Sequence, residues 1–198
     1  MERPAQTQYP IHDLIKQRWS PVCFDSRKVE SAKLGSILEA ARWASSSYNE
    51  QPWNFIIATK DEPQLYNKLL SCIVEANQKW AKNAPVLMLS VTQLTFSRNG
   101  KPNKHAWHDV GLAVGNMVIQ AQSLGLYLRQ MAGFIPEKAR ELYNIPSDYE
   151  PVSAIALGYQ GNLNSLDEDL QKRELAPRSR KSLESFIHQE NWGITFKI

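Results

Sequence analysis

Residues 109–124 constrain this chain most. Leu112, Ala113, Val114, Met117, Val118, Ile119 and Ala121 are spread over most of the circumference of a helix. A helix that is apolar nearly all round belongs at the centre of a domain or between subunits. Gly111 and Gly115 lie one turn apart and would allow a neighbouring helix to pack closely on that face. Asp109 reads as the N-cap and Gly125 as the C-terminal stop. Around this helix, 54–59, 86–91, 126–131 and 152–157 read as short strands. They alternate with helices at 11–17, 31–43 and 136–143, and with one opening at Asp61-Glu62-Pro63 and running to residue 80. The alternation predicts a sheet covered by helices, of the α/β or α+β class. Residues 11–160 form one domain in this reading. Residues 161–198 turn polar and charged, and 162–182 read as an extended arm that adds little to the core.

The chain has 198 residues, 42% hydrophobic and 22% charged, which suits one globular domain and excludes low-complexity disorder. A net charge of +3 is too weak to argue for nucleic acid without a clustered patch. Cys23 and Cys72 form no CxxC pair and no metal-ligand spacing. Two distant cysteines suit a reducing compartment, with one disulfide left open. Residues 1–10 are polar, and no apolar stretch approaches the ~18 residues of a membrane span. The expectation is a soluble, cytoplasmic protein with neither membrane nor nucleic acid as partner.

No dinucleotide GxGxxG, P-loop, GxSxG elbow or HExxH is present. His105 and His108 are spaced for one helix face, but the loop before them favours a helix entry over a metal site, and none is expected. Ser45, Ser46 and Ser47 have no base nearby in sequence and read as a polar turn rather than a nucleophile. Arg18 with Ser20, and Arg178-Ser179-Arg180-Lys181, are the two places where arginines suit an anion; each taken alone also reads as solvated surface. Asn49 and Gln51, beside the rigid Pro52-Trp53, present two amides in fixed directions. A flat heteroaromatic ring fits them as guest, and a turn satisfying its own backbone fits equally.

Taken in order, Arg18-Trp19-Ser20…Phe24 and Ala44-Ser45-Ser46-Ser47-Tyr48-Asn49-Glu50-Gln51-Pro52-Trp53 resemble the nitroreductase family of FMN-dependent oxidoreductases. Further segments resemble it in the same order: Asn77-Gln78-Lys79-Trp80…Asn83-Ala84-Pro85, the 109–126 helix, Gln130-Met131-Ala132-Gly133-Phe134, and Arg178-Ser179-Arg180. The likeness runs from about residue 15 to 181.

The resemblance implies an α+β fold with a mainly antiparallel central sheet, in a domain-swapped homodimer whose C-terminal arm packs on the partner. It implies FMN at the dimer interface. Arg18, Trp19 and Ser20, the tryptophan through its backbone, would serve the phosphate, ribityl chain or pyrimidine edge, and Arg178 and Arg180 would complete the phosphate site. Ser45, Ser46, Ser47 and Asn49 would reach the flavin from the other subunit, with Gln51 supporting their turn. Gln130, Met131, Ala132 and Gly133 would approach the ring near N5, and Asn77 joins the set as a further cofactor contact. NADH or NADPH would give hydride to N5 and then yield the pocket to a nitroaromatic, quinone or similar acceptor, in ping-pong turnover. The flavin carries the chemistry, so no side chain is assigned as catalytic. The loop 95–107, with Phe96 and Trp107, is the candidate pocket wall. Two positions depart from the family pattern: Val22 stands where many members carry a second basic residue, and Ala132 where many carry an acid. The same scaffold also accommodates a reductive dehalogenase, a flavin-consuming enzyme or a non-catalytic FMN carrier.

Overall fold

The computed structural model describes residues 3–198. Its centre is a four-stranded sheet of β1 (Trp53–Thr59), β2 (Val86–Gln93), β3 (Tyr127–Met131) and β4 (Tyr149–Gly158). The order is β1-β2-β4-β3 and every pairing is antiparallel. The central strands β2 and β4 are buried almost throughout, as their long, largely apolar runs require.

Strand alternation divides the core in two. Leu87 and Leu89 face one cluster with Trp80, Leu69, Ile73 and Phe24, whereas Val86 and Met88 face the other with Ile37, Met117, Ile155 and Leu157. The first cluster is roofed by α3 (Pro63–Leu70), α4 (Glu75–Ala81) and α6 (Pro136–Tyr143). The second is roofed by α2 (Ser31–Arg42) and α5 (Ala106–Ser123). A short α1 (Asp13–Gln17) precedes them, and α7 (Glu168–Leu175) follows β4. At the sheet centre the buried Ser90 and Ser153 hydroxyls satisfy each other, 2.8 Å apart beside the bulge at Ser90/Val91.

Three expectations are corrected. The helix expected to run from 63 to 80 is two helices. Its break at Ser71-Cys72-Ile73-Val74 gives its backbone to another segment: Ile135 N–H donates to Cys72 O at 2.7 Å, and Val74 N–H to Gly133 O at 3.1 Å. The central helix starts at Ala106, because the Asn103 carboxamide accepts from His105 N–H at 3.0 Å. Asp109 is therefore inside the helix and is not its cap. Gly111 and Gly115 lie on an open face of α5: apart from the adjoining turns of the helix itself, no described atom lies within 4 Å of a Cβ built on either. One face of α5 packs on the sheet while Trp107 and Leu112 of the other remain exposed. Finally, the start of the arm does build core. Leu166 is buried in the first cluster, with Leu163 and Leu170 packed against it.

The chain before α2 is clamped to the end of β4. Asp25 N–H donates to Tyr159 O at 2.9 Å and Gly161 N–H to Cys23 O at 3.0 Å. A Cβ at Gly161 would stand 2.7 Å from the Phe24 carbonyl carbon and oxygen. Backbone cannot swing aside as a side chain does, so Gly161→Ala is expected to cost about 1–3 kcal/mol, read as a lowered thermal midpoint.

Candidate functional site

Both ends of the chain converge on one cavity of about 240 Å³ at the end of the sheet. It is lined by six arginines, Arg3, Arg18, Arg129, Arg173, Arg178 and Arg180, and by Trp19, Ser20 and Glu174. The sequence placed Arg18, Trp19, Ser20, Arg178 and Arg180 in one site, and the fold brings these five together. Arg18 donates to the Ser20 hydroxyl at 3.2 Å, and Arg178 to the Arg18 carbonyl at 2.8 Å. Arg3 binds the carbonyls of Glu174 and Ala176, and Arg178 binds that of Arg3.

The electrostatics are one-sided. Burial lowers the Arg18 pKa, and the positive charges of Arg178 and Arg180 lower it further. Arg178 is lowered by burial, then by Arg180 and Arg3. Arg129 is pushed down to about 10 by burial, with Arg173 adding to it and Glu174 opposing. The Trp19 indole N–H and Arg129 Nε are buried with no hydrogen-bond partner among the described residues. Mutually repelling guanidiniums, Arg18 and Arg178 with Arg180, Arg178 with Arg3 and Arg129 with Arg173, together with spare buried donors, are what a bound polyanion relieves, so the residues fit a phosphate group.

Glu174, only 2% exposed, accepts from Val22 N–H at 2.8 Å. Burial raises its pKa; the Val22 and Cys23 N–H groups, Arg129 and Arg3 pull the other way. The unfolded chain loses this proton near the ordinary 4.5, and the folded chain at higher pH. Between the two values the folded state holds more protons, so stability falls as pH rises through that window. Urea titrations across pH are expected to show that decline in the wild type and a flatter profile in Glu174→Gln.

The amide turn is held apart from this cavity. Tyr48, Asn49 and Gln51 all have φ between 53° and 58°, a conformation non-glycine residues adopt at a cost and keep only where surroundings impose it. The imposing contacts are visible. Gln51 N–H donates to the Ser46 hydroxyl at 3.0 Å, and the Gln51 carboxamide to Asn49 O at 3.1 Å. Ser47 N–H donates to the buried Asp109 carboxylate at 3.0 Å. The 95–107 loop grips the same turn from outside: Ser97 N–H donates to Glu50 at 2.6 Å, Phe96 meets the Tyr48 ring edge-on, and Arg98 lies 4.1 Å over that ring. Ser45, Ser46 and Ser47 line a second pocket with His105, His108, Asp109 and Leu112. Asn49 and Gln51 sit exposed beside it.

Gln130 and Ala132 are exposed at the end of β3, and Met131 points into the core. Asn77 lies beneath Gly133 and donates to its carbonyl at 3.2 Å; a Cβ on Gly133 would come 2.5 Å from the Asn77 nitrogen. Sequence reasoning missed Arg3, Arg129, Arg173 and Glu174. Arg129 carried a readable signal, because strand alternation puts it on the same side as Tyr127 and Met131, which pack on the first core cluster. Glu174 carried none within the charged run of α7. Among the described residues no group of three or more His, Cys, Asp and Glu is placed to hold a metal, and no helix is long and apolar enough to cross a membrane.

Fold and cavity define an α+β protein with an antiparallel sheet and an arginine-lined cavity beside it. The chain belongs to the nitroreductase family, whose model matches residues 15–159. It is 33% identical over 90 residues to a 15.4 kDa protein of Mycolicibacterium smegmatis, a match spanning 46% of this chain and 60% of that one. It is 25% identical over 216 residues to the major NAD(P)H-flavin oxidoreductase of Aliivibrio fischeri, covering 89% of this chain and 96% of the relative. A crystal structure of an oxidoreductase containing FMN superposes with a TM-score of 0.90 at 33% identity, covering 96% of each chain.

Proposed function

We propose that this protein is an FMN-dependent NAD(P)H oxidoreductase that reduces nitroaromatics, quinones or similar electron-poor acceptors. The observation that carries the reading is the arginine cavity, which joins Arg18-Trp19-Ser20 to Arg178 and Arg180 across 160 residues of chain. The FMN-containing solved structure and the NAD(P)H-flavin oxidoreductase relative support the cofactor and the donor. FMN, when bound, supplies the hydride chemistry, with nicotinamide and acceptor using one pocket in turn.

This chain's residues bind and orient. Arg18 and Arg180 hold the phosphate, with Ser20 adding a hydroxyl donor. Gln130 and the backbone of 132–133 meet the ring edge. Asp109 fixes Ser47 and so the strained turn that presents Asn49. No side chain is required to move a proton.

The working unit in this proposal is a homodimer, with Ser45, Ser46, Ser47 and Asn49 serving the partner's flavin. The turn lies against a different pocket from the arginines, which supports that division. The exposed α5 face at Trp107 and Leu112, and the exposed Phe186, Trp192, Phe196 and Ile198 of the arm, supply apolar surface for a swapped partner. Two free, buried cysteines suit the cytoplasm.

The test is the absorbance spectrum of the purified protein with chromatography of its released flavin, then rapid mixing with NADH or NADPH. Bound FMN that bleaches on mixing supports the reading; a protein that does not bind FMN, or FMN that neither nucleotide bleaches, removes it.

A further inference from the structure

The loop Arg18–Val22 carries two of the cavity's anion donors, yet it belongs to no helix or strand. Three charged side chains from three other parts of the chain hold its backbone. Arg178 of the arm donates to Arg18 O at 2.8 Å. Arg129 of β3 donates to Ser20 O. Glu174 of α7 accepts from Val22 N–H at 2.8 Å. The ties fall on alternate residues, while Trp19 and Val22 are packed inside. A loop held this way keeps the Arg18 guanidinium and Ser20 hydroxyl in place before an anion arrives, and that saves ordering cost on binding. Arg129 also lies 5.1 Å over the buried Trp80 ring, so its own position is fixed from below.

We propose that Arg129 and Glu174 are positioning residues for the anion site, acting through the Arg18–Val22 loop, and that Arg178 shares this role. The proposal rests on FMN occupying the cavity. It goes beyond the family-derived reading, in which Arg18, the Trp19 backbone, Ser20, Arg178 and Arg180 hold this end of the cofactor and Arg129 and Glu174 have no part.

A double-mutant cycle on the full-length protein tests it, with FMN affinity read by flavin fluorescence and the apoprotein melted separately. Arg129→Met is expected to weaken FMN binding by roughly tenfold or more, the effect of losing a charged hydrogen bond. Arg129→Lys, which keeps a donor toward Ser20 O, is expected to recover most of it. In an Arg18→Ala background the Arg129→Met effect is expected to shrink severalfold, because a positioned group that is absent cannot be mispositioned. Glu174→Gln keeps an acceptor for Val22 and is expected to weaken binding less than Glu174→Ala. If Arg129→Met does not fold, Arg129→Lys and Glu174→Gln, each combined with Arg18→Ala, complete the cycle. Wild-type FMN affinity in Arg129→Met, or strict additivity with Arg18→Ala, overturns the positioning role and leaves the functional reading standing. A wild type that fails to bind FMN overturns both.

Discussion

Arg18→Ala and Arg180→Ala are each expected to weaken FMN binding by roughly 10- to 150-fold, equal to about 1.5–3 kcal/mol for one charge-assisted contact. The two arginines reach the cavity from opposite ends of the chain, and both line it. Arg180 donates to its neighbour Ser179 O, a local contact that its loss does not carry into the core. Arg180→Ala should therefore melt like the wild type while losing cofactor. Arg18→Ala also relieves its repulsion with Arg178 and Arg180, so the apoprotein is expected to be no less stable. Equilibrium titration with FMN measures the effect. If both variants purify with FMN bound at wild-type affinity, the cavity does not hold the phosphate.

Trp80→Ala is expected to lower stability by about 3–5 kcal/mol, the cost of truncating a fully buried aromatic side chain. In a chain of this size that is on the order of a 10 °C fall in melting midpoint. Trp80 is wholly buried, its ring is stacked with Phe24 at 6.2 Å, and its indole N–H donates to Asn77 Oδ1 at 3.3 Å. The loss should therefore reach the site as well. Asn77 supports Gly133, and the Trp80 ring lies under Arg129. Trp80→Phe, which keeps most of the volume, is expected to show a smaller fall in both stability and FMN affinity. Calorimetry with and without FMN separates the two effects.

Much of this fold was readable because local pattern and tertiary environment agree. The apolar runs at 86–91 and 152–157 had to be central strands, and Pro136 had to open a helix. The split between α3 and α4 was not readable. Residues 71–74 continue an apolar helical pattern, and only the distant backbone of 133–135 draws them out of it. Asp109 looked like a cap because acids favour that position. Its partner is Ser47 N–H, 62 residues away, and local statistics do not reach that far. Arg18, Ser20, Arg178 and Arg180 emerged only through a motif order, since each alone reads as surface charge. Their companions Arg3, Arg173 and Glu174 belong to no motif and join the site through chain closure.

The clamp at Gly133 has one more consequence. Its carbonyl accepts from both Val74 N–H and Asn77, and Ile135 N–H is held by Cys72 O. Main chain and a single amide thus carry the shape of this strand end, and the exposed side chain of residue 132 carries none of it. Residue 132 is a free variable on a fixed frame. An acid, an amide or the methyl group present here can be exchanged at this position without moving the backbone around it, so in the proposed FMN complex the polarity beside the ring edge would be set by one residue at little structural cost.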